Sequence, residues 1–525
     1  MKHLYKYNSL RWLLVFCLAL LCGCSSSSED DSNEYATAKQ IVQATLAIGE
    51  NPQDHEAYYQ RGLGYLKIHQ SSEAIKDFTE VIRLDPKSQK AYYQRGLAYS
   101  GANQRSEAIK DFTQAIRLDP KSYDAYFKRG SAYFDSGEWS KANADFTEAI
   151  HLKPKSYEAY LRRGIVFAHL GQPQRAIADL NEVIRLSPKS SEDAALAYFG
   201  RGRAYNFLDK QKEAIADLTK AIELKPDWRF YLDRGTMLYN IGKHHEAIAD
   251  FTKIIKSYSF MAPQAYYFRG LAKSAMEDYD GAIVDFTAII DEFGPGDGSA
   301  HLARAMTYRK KHDFKAAIQE YDQAHPLRPK DPEVFLERAI TRSEAADYER
   351  SMKEPDSRQE KYRHAIEDCD QALKIDPNLL DAYMLRGNFH ADLKEYDRAL
   401  DDYKKAIQLG PKAGEVYYNR GSMYREMGKF DLALADLNRA IELGDQVPEV
   451  YSVRGHIWAE KGEQLKAIQD YNKAIAKNPQ FGLAYYRRAK AYRAIGKTAE
   501  ADKDLETAKK YGFTEESLPP NEKTR

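Results

Sequence analysis

Cysteine is nearly absent from this chain: four residues in 525, three of them within the first 24. The fourth, Cys369, stands alone, so the body has no CxxC pair and no even framework, and disulfides do not hold its fold. Net charge is absent as well, because 78 basic residues meet 78 acidic ones. Phosphate-binding proteins usually carry a basic excess or a basic face, so nucleic acid is not the expected partner. Long apolar runs are also missing. The most conspicuous, Trp12 to Leu21, has about ten residues, whereas crossing a bilayer core of ~30 Å takes ~20. What is present suits a folded helical chain: 30% charged residues, 12% aromatics and 38 tyrosines, a composition unlike disorder. Length alone suggests three or four ordinary domains.

The first 24 residues read as an address. Lys2, Lys6 and Arg11 precede the apolar run, in the order of a signal peptide. The run ends in Leu21-Cys22-Gly23-Cys24. This resembles the bacterial lipobox, which implies cleavage after residue 23 and lipid attachment at Cys24. Cys22 departs from the commoner Ala or Ser but is still small. Residues 24–33 continue as Ser25 to Ser28, Glu29, Asp30, Asp31, Ser32 and Asn33. With no apolar residue there, a disordered polar tether is expected. Ser after the Cys resembles outer-membrane lipoproteins, so the expected location is the bacterial cell envelope, lipid-anchored, with the membrane face open. Residues 34–54 hold a capping helix, with Ile41, Val42 and Leu46 along one side.

The rest is one unit repeated thirteen times. The phrase Ala-Tyr-x-x-Arg-Gly starts at Ala57, Ala91, Ala125 and Ala159, always 34 residues apart, and recurs with substitutions to Ala484. Counting the second unit from Gln89, Tyr92 is position 4, Gly96 position 8, Tyr99 position 11, Ala108 position 20, Phe112 position 24, Ala115 position 27 and Pro120 position 32. This resembles the tetratricopeptide repeat, with Tyr for Trp at position 4 and Arg for Leu at position 7. The expected fold is all-α, a solenoid of about thirteen helix–turn–helix units at 55–88, 89–122, 123–156, 157–194, 195–227, 228–262, 263–297, 298–331, 332–379, 380–413, 414–447, 448–481 and 482–515, then a polar tail at 516–525. The resemblance implies a right-handed superhelix. Gly or Ala at position 8 lets the two helices of a unit approach closely, and large residues at positions 4, 11 and 24 fill the remaining volume. The ninth unit carries an insertion around Asp347 to Tyr362. Lys273, Arg342 and His390 at position 11 weaken the core pattern of the middle, where a bend is expected.

No catalytic set assembles, and no enzyme, metal or cofactor is expected. Gly496-Lys497-Thr498 lacks the upstream Gly of a phosphate loop, since Ala491 stands there. His245-Glu246 has no second His at zinc-protease spacing, and Asp291 to Gly298 lacks alternating calcium ligands. Cys369 falls on the position-24 core site. Position 7 is Arg in all thirteen units, and position 23 is Asp or Glu. The expected reading is a structural ion pair in each, Arg129 with Asp145 for example.

The resemblance also implies a concave groove lined by the first helix of each unit at positions 2, 5, 6, 9, 12 and 13. The candidate partner-binding residues are Tyr59, Leu63, Tyr93, Leu97, Phe127, Leu161 and Ile165. An exposed apolar stripe rimmed by polar groups marks an interaction site, although packing against the previous helix B would explain the position-5 rings equally well. The expected function is a membrane-anchored scaffold or adaptor binding a protein or peptide, with no small-molecule substrate. The alternative is a glycan or cell-wall binder using the aromatic groove.

Overall fold

The structure, a computed structural model, describes residues 29–187, 192–296, 298–351, 358–444 and 447–514. Cys24, the lipobox and Pro519-Pro520 lie outside the described residues. Among these residues the chain forms 27 α-helices and one short 3-10 turn, with no strand. It falls into two compact units, one ending at Met261 and the other starting at Ala262, each a stack of antiparallel helical pairs.

In each pair, helix A starts close to position 1 and helix B close to position 17; the second repeat, for instance, pairs Gln89–Gly101 with Arg105–Leu118. Three devices set these ends. Ser88, Ser122 and Ser156 close their units and accept the backbone N–H of Ala91, Ala125 and Ala159, so the last residue of one repeat caps the first helix of the next. Helix A then stops because position 15 takes a left-handed backbone. This holds in every repeat but the ninth, at His69, Asn103, Gly137, Gly171, Asp209, Gly242, Glu277, His312, Lys394, Gly428, Gly462 and Gly496. Finally, position 8 sits under the position-24 side chain of helix B. A Cβ at Gly96 would come within 2.7 Å of the Phe112 ring, so glycine admits a close crossing that outweighs its ~1 kcal/mol helix penalty. In the ninth repeat position 8 is Ala339, and the facing position 24 is Cys369, a thiol smaller than a ring.

The capping helix spans Glu29–Glu50. It therefore begins inside the segment expected to be a disordered tether, five residues earlier than the capping helix drawn from the apolar spacing. It packs on the first repeat: Ile41 lies where a Cβ on Gly64 would stand, and Gln40 Nε2 donates to the Gln60 carbonyl at 2.8 Å. The insertion of the ninth repeat lengthens both helices, to Pro332–Ser351 and Arg358–Ile375. Ala345, Ala346 and Tyr362 are buried, the last two in one core cluster with Ala339, Cys369 and Phe389. Extra residues before the fifth repeat likewise extend its first helix to Glu192–Phe207.

Candidate functional site

The conserved geometry of every unit is an ion pair. Arg129 donates from Nε and Nη2 to the two oxygens of Asp145 at 2.8 and 2.7 Å, and the same Arg–carboxylate pair occurs in all thirteen repeats. The third donor of the guanidinium, Nη1, crosses to position 25 of the preceding repeat. Arg129 reaches Thr113, Arg163 reaches Thr147, and Arg201 reaches Asn181, at 3.1, 3.1 and 2.6 Å. An Arg with such an acceptor thus joins its two helices to each other and to the repeat before, which only a planar, five-donor side chain can do. Position 25 is Lys404 in the tenth repeat. A lysine has no acceptor, so among the described residues Arg420 retains Asp436 without a bond to position 25 of the repeat before.

The polar residues at position 11 have the same origin. Lys273 Nζ approaches the second oxygen of Asp285 at 2.9 Å, and Arg342 that of Asp368 at 2.6 Å; His390 meets Glu395 at 2.7 Å. The middle repeats have exchanged apolar filling for added charge pairing. Cys369 is buried in its core cluster, and burial pushes its thiol up, away from the reactive thiolate. Among the described residues no group of three His, Cys, Asp or Glu could hold a metal, and no helix is long and apolar enough to cross a membrane.

The expected groove ladder is largely packing. Tyr59, Tyr93 and Phe127 place their rings 5.7, 5.9 and 5.7 Å from Phe78, Phe112 and Phe146, the position-24 rings of their own repeats. Leu161 is fully inside the core, a correction to its place on a binding surface; Leu63 and Ile165 are half-buried against the same kind of cluster, and Leu97 is half-buried. The reason is the narrow crossing at position 8. It brings the position-24 side chain up beneath helix A, where position 5 closes over it. Burial pushes the Tyr93 phenol up to about 12.

An open site does occur on the helix-A face, at the other end of the chain. Three successive first helices, Gly414–Glu426, Pro448–Glu460 and Gly482–Ala494, line a cleft of about 370 Å³. Its walls come mainly from positions 5, 6, 9, 12 and 13 of helix A, among them Arg425, Glu426, His456, Glu460, Tyr486, Arg487 and Lys490, with Phe430 and Gln464 from the start of helix B. Position 5 of the twelfth repeat is Ser452, which places no ring over the position-24 side chain; that side chain, Tyr471, forms part of the lining. Arg487 of the next repeat turns into the space, 8% exposed, with Nη1 donating to Ser452 Oγ at 3.3 Å. A second cleft of about 380 Å³ adjoins it, sharing Tyr486 and Lys490 and adding Arg493, Lys509 and Phe513. These residues were absent from the sequence-based candidates. Their signal was Ser452, the one small residue in the position-5 series.

Fold and stapled helical pairs define an all-α repeat protein. The family follows from comparison: models described as tetratricopeptide repeat match residues 55–88, 90–122, 127–191, 195–227, 267–332, 380–412, 414–444 and 470–503. These segments take up more than half of the chain, which belongs to the tetratricopeptide repeat family. No curated protein sequence matches it. Solved structures similar to it include YrrB, described as a TPR protein with an unusual peptide-binding site, at 23% identity and a TM-score of 0.33, covering 36% of this chain and 94% of that one. MamA is similar at 26% identity and 0.31, covering 33% and 91%. Yeast Tom70 is similar at 18% and 0.38, covering 84% and 94%.

Proposed function

We propose that the chain is a lipid-anchored interaction scaffold of the bacterial envelope, holding partner proteins or peptides against its helix-A face. One observation carries the binding half of this reading. The cleft near the C-terminal end is lined mainly by helix-A residues of three consecutive repeats, with Phe430, Gln464 and Tyr471 of helix B completing it, so a ligand there meets several units at once. Concave sites with a few convergent polar groups are where proteins hold ligands. The anchoring half rests on Leu21-Cys22-Gly23-Cys24. One acyl chain gives only marginal attachment, whereas two or more on one Cys retain a protein on the bilayer. The glycan alternative draws on an aromatic groove, and the rings of Tyr59, Tyr93 and Phe127 are already engaged by Phe78, Phe112 and Phe146.

The test is cross-linking from the helix-A face in membranes, with a photoreactive residue at position 490 or 456 and a control on helix B at position 465. Adducts confined to the first two support the reading. Equal adducts at all three overturn it. Cys24→Ser should release the chain from the membrane fraction and abolish labelling by a palmitate analogue; retention with undiminished labelling refutes the anchor.

A further inference from the structure

The last repeat is open on the side where a further repeat would stack. In the other twelve the position-24 side chain is fully buried. Position 10 of the following repeat helps to close it off: Ala98 clusters with Phe78, Val166 with Phe146, Met237 with Leu218, Met423 with Tyr403 and Ala491 with Tyr471. In the last repeat position 24 is Leu505, and among the described residues no helix follows. Leu505 stays half-buried, in the wall of the second cleft of about 380 Å³. Two cations of that wall, Lys490 and Lys509, are exposed and make no ion pair among the described residues, whereas Arg493 is held by Asp502 at 3.0 Å. The wall contains no carboxylate. The described chain ends in this same wall, at Thr514, and the sequence continues as Glu515-Glu516-Ser517-Leu518-Pro519-Pro520.

We propose that residues 515–520 fold back across this cleft as a strap, with Glu515 and Glu516 paired to Lys490 and Lys509 and Leu518 set over Leu505. Charge, reach and backbone chemistry all select this occupant. Two carboxylates meet two unpaired ammonium groups, in a wall with no competing acid. Leu518 is four residues beyond Thr514, a reach of up to ~14 Å at ~3.5 Å per residue, enough to cross a cleft of this volume. Pro519-Pro520 cannot continue a helix, and Pro519 biases Leu518 toward extended backbone. The segment therefore covers Leu505 as a strap and not as a fourteenth helix pair. Exposed ion pairs are weak and set the register; covering Leu505 supplies most of the stabilisation. Tyr486 and Lys490 also line the first cleft. The strap thus closes the C-terminal side of that cleft, an autoinhibitory contact. This last consequence rests on the scaffold reading; the strap itself does not.

The experiment places a benzophenone side chain at position 518 of the full chain, irradiates it at high dilution and maps the adducts by mass spectrometry. Adducts should form within one chain, on Ala489, Lys490 and Leu505. Glu515→Lys with Glu516→Lys should remove most of them, and adding Lys490→Glu with Lys509→Glu should bring them back. All four side chains lie outside the core, so the repeats stay folded. In the chain without benzophenone, Leu518→Ser should speed amide exchange in residues 482–510 by about tenfold, the size expected for uncovering one leucine. Adducts indifferent to charge reversal overturn the strap, as does exchange unchanged by Leu518→Ser. Adducts between chains in place of those within one also overturn it and assign the cleft to a second copy. For the autoinhibitory consequence, removal of residues 515–525 should multiply partner adducts from a photoreactive residue at position 456 in membranes. Unchanged partner adducts overturn that consequence. Partner adducts absent from both chains, with the internal adducts intact, sink the scaffold reading and leave the strap.

Discussion

Arg129 holds Asp145 in its own repeat with two donors and Thr113 in the preceding repeat with the third, at 2.8, 2.7 and 3.1 Å. The two charged side chains are 16% and 6% exposed. Removing either partner leaves a mostly buried charge unmatched, so Arg129→Met or Asp145→Leu should destabilise the third repeat by about 3–5 kcal/mol, and the double variant by clearly less than the sum. Amide hydrogen exchange in residues 123–152 reads this locally. Additive losses would show that the two do not act as a pair.

Thr113→Val tests the cross-repeat bond alone. It keeps the shape and removes the acceptor of Arg129 Nη1, and should cost about 1 kcal/mol. The loss should appear as faster exchange at the seam between the second and third repeats, with the Arg129–Asp145 pair intact.

The left-handed turn at position 15 offers a stabilising change. Glu277 adopts φ 65°, a region where a side chain costs roughly 1–2 kcal/mol. Glu277→Gly should raise stability by about 0.5–1 kcal/mol, the gain being reduced by the greater freedom of glycine in the unfolded chain. Gly242→Ala, at φ 79°, should do the reverse. Thermal melts of the two variants should move in opposite directions.

Tyr93 and Phe127 pack on position-24 rings, so Tyr93→Ala and Phe127→Ala should each lose about 2 kcal/mol or more, seen as a lower denaturant midpoint. An unchanged midpoint would restore them to a purely exposed groove. The phenol gives a second readout. Its folded value of about 12 lies above the ~10 of an unfolded tyrosine. The neutral phenol thus favours the folded state below pH ~10, and that contribution disappears as pH climbs toward 12. Tyr93→Phe keeps the ring without the titrating group, so its stability should fall less steeply than the parent's over that interval.

The repeat period, the helical pairing and the Arg–carboxylate pair were all legible because each recurs at fixed spacing. Gly96 and Phe112 declare a tight crossing from composition alone. The staple to Thr113 was hidden, since position 25 varies among Thr, Asn, Asp, Lys and Glu and only geometry shows that the first three accept the same donor. The position-5 ladder was ambiguous for a related reason: an aromatic residue on a helix face reads identically whether it covers a ring or faces solvent. The cleft was missed because its lining comes from side chains of three neighbouring repeats, whose convergence no single unit of the pattern displays.

Lys404 has a mechanical consequence. A chain fixed at one end and pulled at the other carries load through its seams in series, and the seam between the tenth and eleventh repeats has no acceptor at position 25 for Arg420 Nη1. That seam therefore carries load with one hydrogen bond fewer than the seams that have Thr, Asn or Asp at position 25.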